Sequence, residues 1–177
     1  MRLFVGIRVP ENDALRNVLN ELQWHNELKC VEPGNLHINL KFLGEVDEQR
    51  VAGINAALDG LQGFGQFEVA LRGIGAFPNN NSVRVLWVGA ESERLVPLAK
   101  LVDAELAGLG FKREADYKAH VTLARVREKP GEWIKSALSD NAGRDFGTLS
   151  ASEVLLVKSV LTGKGPQYED IRRVKLA

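Results

Sequence analysis

The stretch Asn35–Val46, NLHINLKFLGEV, decides how this chain is read. Leu36, Ile38 and Leu40 fall on one parity, His37 and Asn39 on the other. Side chains alternate along a strand with a period of two. The stretch is therefore a half-buried strand whose polar face carries an imidazole beside an amide. A lone histidine in such a place is ordinarily a core or surface residue. A second stretch, Lys118–Val126, KAHVTLARV, changes that reading. His120-Val121-Thr122-Leu123 overlays His37-Ile38-Asn39-Leu40, and both have the form His-apolar-(Asn/Thr)-apolar. In each strand the imidazole and the short polar group share a face, while Ile38, Leu40, Val121 and Leu123 turn toward a helix-packed core. If two lobes bring these polar faces together, the four groups line one cleft.

The surrounding sequence is that of an ordinary globular protein. Its 177 residues are 45% hydrophobic and 26% charged, which suits one domain or two small lobes. Lysine plus arginine equals aspartate plus glutamate at 23 each, so no global charge announces a nucleic-acid partner, although a local basic patch is compatible with this balance. A single cysteine, Cys30, excludes an internal disulfide and points to a reducing compartment. With three histidines in all, the chain has no zinc-ligand spacing, no HExxH and no Walker loop. No apolar run approaches the ~20 residues that cross a bilayer. The opening MRLFVGIRVP reads as a first strand rather than a signal segment. The expectation is a soluble cytoplasmic protein, with no cofactor or metal and no membrane association. A balanced surface without a heptad seam makes a monomer the default expectation.

Strands are expected at Arg2–Val9, Leu36–Phe42, Phe67–Leu71, Val83–Val88, His120–Val126, Asp145–Leu149, Ala151–Val160 and Gln167–Val174. Lys29–Glu32 reads as a short extended piece. Helices follow Asn12 or Asp13 (Leu15, Val18, Leu19, Leu22), follow Asp47 (Val51, Ile54, Leu58, Leu61), span Glu93–Leu109, and lie around Trp133–Leu138. Gly73, Gly75, Pro78 and Asn79-Asn80-Asn81 mark a long polar turn. Strand, helix, histidine strand and helix occur in the first sixty residues and recur from Val83 onward. No linker divides the copies. The expected fold is a single bilobal α+β domain over residues 1–177, two antiparallel sheets flanked by outer helices with a central cleft.

The residue types dictate the chemistry of such a cleft. Histidine titrates near neutrality. A neutral imidazole takes a proton from attacking water, and a protonated one gives a proton to a leaving alkoxide. Thr122 and Asn39 carry donors for phosphoryl oxygens, where charge accumulates in the transition state. Phosphoryl transfer needs mainly positioning and charge stabilisation, so two histidines handling the protons make a metal unnecessary.

These tandem motifs resemble the 2H phosphoesterase superfamily, whose signature is two H-x-(T/S)-x strands in a pseudo-symmetric bilobal fold. More narrowly, the chain is similar to the LigT-like RNA 2′,3′-cyclic phosphodiesterases, once described as 2′-5′ RNA ligases. The resemblance runs nearly the whole length: LFVGIRVP, NLHINLKFLGEV, RVLWVGAES, AHVTLARV and LVKSVLTGKGPQYE. It implies hydrolysis of a terminal 2′,3′-cyclic phosphate on RNA to a 2′-phosphate. It also implies His37 as general acid to the leaving 3′ oxygen, His120 as general base for water, and Thr122 as a phosphate-holding residue. Strand geometry alone leaves the assignment of the two histidine roles open. Asn39 departs from the family's threonine or serine, which bears on rate and substrate preference.

Secondary candidates surround this pair. Arg125 matches a position that binds RNA in the family, but an offset of five from His120 points away from it in a regular strand. A bulge or a strand end is needed to bring it into the cleft. Tyr168, Phe4 and Trp87 are candidates for stacking on a base, with core packing the expectation for Phe4 and Trp87. Arg84 is a candidate for phosphate, and Lys158 and Lys164 for a basic rim. His25 reads as a boundary residue and Cys30 as a structural thiol. Small cyclic nucleotides, an ADP-ribose cyclic phosphate, 2′-5′ ligation and noncatalytic binding of RNA ends are the competing functions.

Overall fold

The computed structural model describes residues 1–177. Nine strands and four α-helices follow the order β1 (Arg2–Arg8), α1 (Asp13–Gln23), β2 (Leu28–Cys30), β3 (His37–Glu45), α2 (Val51–Leu58), β4 (Phe67–Asn79), β5 (Ser82–Glu91), α3 (Leu95–Ala107), β6 (His120–Val126), α4 (Trp133–Asp140), β7 (Asp145–Ala151), β8 (Glu153–Thr162) and β9 (Gly165–Lys175). The expected duplication appears as two halves of one curled antiparallel sheet, ordered β7-β4-β5-β6-β3-β1-β8-β9, with β2 also paired to β6. The two sheets expected from sequence are thus joined edge to edge. The joint is the pairing of the two histidine strands, with Ile38 opposite Val121. The last hairpin, β8–β9, returns to the first half by pairing β8 with β1. No helix is long and apolar enough to cross a membrane.

Forty-two buried residues form one hydrophobic core running through both halves, on the face the helices cover. Helix α1 presents Leu15, Val18, Leu19 and Leu22 at the expected spacing. Asn12 caps it, accepting from the Leu15 amide at 2.8 Å, and its own amide donates to the Phe146 carbonyl of β7. The expected Asp47 cap does not form. A 3-10 turn, Glu48–Arg50, leads into α2 instead, and Asp47 makes no capping bond.

The expected turn across Gly73–Asn81 is corrected. Strand β4 continues to Asn79, and only the tip between Asn79 and Ser82 reverses the chain. The glycines serve the strand rather than end it. Gly73 takes φ +74° where the β4–β5 register shifts, a bulge conformation that favours glycine. Gly75 lies beneath the Trp87 indole, where a Cβ has no room. The continuation carries Phe77 against Trp87 and His120.

Two bulges shape the open face. On β3, Val5 pairs with Lys41 and Gly6 with Asn39, so Leu40 is the extra residue. On β6, Leu86 pairs with Ala124 and Trp87 with Thr122, so Leu123 is extra. Each bulge turns two consecutive residues inward and flips the parity of those that follow. Leu123 and Ala124 fill the inward positions of β6 without cost. On β3 the second inward residue is Lys41, 3% exposed. Its ammonium donates to Asp103 of α3 and to the Lys112 carbonyl. Burying a charge is tolerated only with such pairing. Lys41→Met leaves the Asp103 carboxylate without its partner and is expected to cost about 3 kcal/mol of stability. The double variant Lys41→Met, Asp103→Leu is expected to recover most of that loss, read from urea denaturation midpoints.

Candidate active site

The site is built on the sheet face opposite the helices. With Ile38 opposite Val121, antiparallel register sets His37 beside Thr122 and Asn39 beside His120. All four side chains share one face. The two histidines occupy diagonal positions of this pairing, a separation of about 7–8 Å between Cα atoms. That spacing lets both rings reach one small group lying between them. The partners the sequence put together are thus brought together, as neighbours on adjacent strands.

Both rings are oriented in the same way. His37 Nδ1 lies 2.9 Å from the Asn35 carbonyl, and His120 Nδ1 lies 2.7 Å from the Lys118 carbonyl, in each case two residues back. A carbonyl only accepts, so each neutral ring carries its proton on Nδ1 and leaves Nε2 as a free base. The structure also fixes the strands behind them: the Tyr117 hydroxyl donates to the Asn39 carbonyl at 2.8 Å.

Each imidazole has aromatic walls. Phe4 stacks on His37 with ring centroids 4.5 Å apart and planes 24° from parallel, and Tyr168 meets His37 edge-on at 5.4 Å. Phe77 meets His120 edge-on at 4.8 Å, with Trp87 6.3 Å away. Phe4 is buried, as expected, but outside the main core. It forms a small cluster with Leu155 and Val157 on the site face, against Tyr168. Phe77 was not a sequence candidate, because glycine and proline around it read as a turn. Trp87 is half-buried, and its indole Nε1 and the Asn39 Oδ1 are buried without a hydrogen-bond partner.

Arg125 reaches the cleft by way of the β6 bulge. Burial leads in lowering the proton affinity of His37 and His120, and the Arg125 charge adds to it. At Tyr168 burial raises the hydroxyl's proton affinity, and the Arg125 charge only opposes that rise. The symmetry-equivalent residue past the β3 bulge is Phe42, which stands 59% exposed with its ring 6.2 Å from Phe4. Sequence reasoning missed Phe42. The signal was the broken alternation shared by LKF and LAR. Arg84 is the extra residue of another bulge, is exposed, and makes no hydrogen bond or ion pair. Lys164 is exposed near the β8–β9 tip. His25 stacks on Trp133 at 3.5 Å, away from the site, and Cys30 is a free, half-buried thiol.

The family described as LigT like Phosphoesterase matches residues 6–87 and again 88–168, one copy for each histidine strand. The chain belongs to this family. It is 41% identical over 175 residues to the RNA 2′,3′-cyclic phosphodiesterase of Archaeoglobus fulgidus, covering 97% of this chain and 98% of that one. The enzyme of the same name from Methanocaldococcus jannaschii is 39% identical over 97% of this chain and 99% of its own length. Among solved structures, a Thermus thermophilus protein matches with a TM-score of 0.86 at 29% identity, over 99% and 98% of the two chains. Escherichia coli LigT complexed with 3′-AMP shares the fold with a TM-score of 0.78 at 24% identity, over 99% and 97%.

Both imidazoles hold their protons less tightly than an ordinary histidine. Burial is the leading cause for each. The Arg125 charge adds to it for both, and His120 and Arg8 add further for His37, while the carbonyl bonds oppose it. In the free protein both rings are therefore neutral at pH 7. Nitrogen-15 NMR of the imidazoles is expected to show Nδ1–H for both rings and titration midpoints below 6.5. Removing the nearby cation in Arg125→Gln raises both midpoints.

Proposed function

We propose that this protein hydrolyses the terminal 2′,3′-cyclic phosphate of RNA to a 2′-phosphate, with His37 as general acid and His120 as general base. The observation that carries the reading is the diagonal pair of imidazoles, each with Nδ1 held by a carbonyl and Nε2 free, beside the Arg125 charge. The names of the relatives point to the same substrate.

In this mechanism the cyclic phosphate lies between the two rings. His120 Nε2 accepts a proton from water as its oxygen bonds to phosphorus. The bond from phosphorus to the 3′ oxygen breaks, and protonated His37 gives its Nε2 proton to that oxygen. The product carries a 2′-phosphate and a free 3′-hydroxyl. Thr122, beside His37, donates its hydroxyl to a phosphoryl oxygen, and Arg125 offsets the charge that builds there. Asn39 sits beside His120 and offers its amide in place of a hydroxyl. Tyr168 joins Phe4 in walling the His37 side and offers a face to the ribose or base. Both proton transfers are supplied by the protein, and the reading requires no metal. It treats residues 1–177 as one unit, supported by the core shared between the halves. It also keeps the expectation of a cytoplasmic monomer.

The acid must be charged when substrate is bound, although burial and nearby cations disfavour that charge in the free protein. The phosphodiester anion supplies the compensation, since an opposite charge nearby favours the protonated ring. The free protein therefore sets the limbs of kcat/KM below pH 6.5, and the alkaline limb of kcat lies at higher pH than that of kcat/KM.

The test is an RNA oligonucleotide ending in a 2′,3′-cyclic phosphate, incubated with protein in EDTA. A 2′-phosphate product is expected, undiminished by the chelator. His37→Ala and His120→Ala are each expected to lower kcat by about 10²–10⁴-fold. Activity abolished by EDTA, or unaltered in both variants, overturns the mechanism. Tight binding of the RNA end without turnover favours a noncatalytic module instead.

A further inference from the structure

We propose that Arg8 forms a subsite for the phosphodiester on the 5′ side of the terminal nucleotide, so that the site prefers an RNA chain end to a mononucleotide cyclic phosphate. The inference rests on the histidine roles given above. In-line displacement puts the attacking water and the leaving 3′ oxygen on opposite sides of phosphorus. Water enters from the His120 side. The ribose, attached through the leaving oxygen, therefore lies on the His37 side, against the half of the sheet built from β1, β3, β8 and β9. The aromatic rings of Phe4, Phe42 and Tyr168 stand on that half. The next phosphate of the strand lies farther along it.

Arg8 is the cation placed to meet that phosphate. It lies directly opposite His37 in the β1–β3 register, and paired residues of an antiparallel ladder share a face. It lines the crevice beside His37 with Phe4, Gly34, Asn35 and Tyr168. Its charge is felt at the His37 ring. The side chain is 46% exposed and engages one partner, Asp170 Oδ1 at 2.7 Å. A guanidinium has five N–H donors in a fork that matches phosphate oxygens, so most of its donors remain available. Asp170 is not stranded if Arg8 turns to a phosphate, because Arg173 holds its other oxygen at 3.1 Å. Arg125 lies past the bulge on β6, in the other half, and serves the reacting phosphate. Arg8 and Arg125 thus divide two successive phosphates between the two halves of the sheet.

The experiment compares kcat/KM for a mononucleotide 2′,3′-cyclic phosphate with that for a dinucleotide ending in the same cyclic nucleotide. Both substrates depend equally on His37, so any change in its proton affinity cancels in the ratio. Arg8→Gln is expected to lower the ratio of kcat/KM on the dinucleotide to that on the mononucleotide about tenfold, chiefly through KM on the dinucleotide. Arg8→Lys keeps part of the preference, because a point charge replaces the fork. Asp170→Asn releases Arg8 and is expected to maintain or raise the preference. An equal loss on both substrates in Arg8→Gln, mirrored in Asp170→Asn, shows a structural ion pair and overturns the subsite. An unaltered ratio in Arg8→Gln overturns it as well. Wild-type protein that cleaves neither substrate defeats the hydrolase reading itself, an outcome distinct from a failed subsite.

Discussion

The whole site depends on one short antiparallel contact, Ile38 of β3 against Val121 of β6. It is the seam between the two halves of the sheet. Farther along β6 the same edge belongs to β2, with Cys30 opposite Ala124. The seam therefore holds little more than the motif residues themselves. Its register decides everything that follows. A shift of one position would send every side chain of one strand to the other face, putting His37 in the core and Ile38 in the cleft. The buried apolar residues of both strands forbid that slip. Hydrophobic burial on one face thus sets the geometry of the histidine pair on the other.

The bulges complete what the seam begins. Without them, Phe42 and Arg125 would point into the helix-covered core. With them, each half presents a third residue to the cleft beyond its histidine and its short polar group. The halves then cease to be equivalent. One offers an aromatic ring, the other a guanidinium. Lys41 shows that this arrangement has a cost, since the β3 bulge buries a lysine that Asp103 must neutralise. The near-symmetric frame explains why both rings share the same i−2 carbonyl bond. The unlike residues around it give the two histidines different surroundings, as the proposed division into proton donor and acceptor requires.

Depressed proton affinity at both histidines fits a site that gains its charge state from the substrate. Burial and the nearby Arg125 and Arg8 charges disfavour a charged His37 in the free protein, and an arriving phosphate anion offsets part of that. In the proposed mechanism His37 is then charged chiefly when there is a leaving group to protonate. Phe4 and Phe77 contribute by excluding water around the rings, which strengthens each electrostatic interaction inside.

The sequence by itself determined the two histidines, their short polar companions, the inward residues between them and most of the elements that carry them. All of these are local matters of parity and spacing, and a period of two is visible in a single strand. It left Phe77 hidden, because glycine and proline are read as turn residues when nothing reveals the strand they accommodate. It left Phe42 hidden and Arg125 ambiguous, because a bulge is defined by the partner strand and not by the bulged one. Tertiary structure alone decided that the two motifs are neighbours, that Phe4 backs His37, and that Arg8 faces the cleft. Each of these facts is a relation between segments far apart in the chain, fixed by strand pairing and shared burial, for which no local pattern carries a sign.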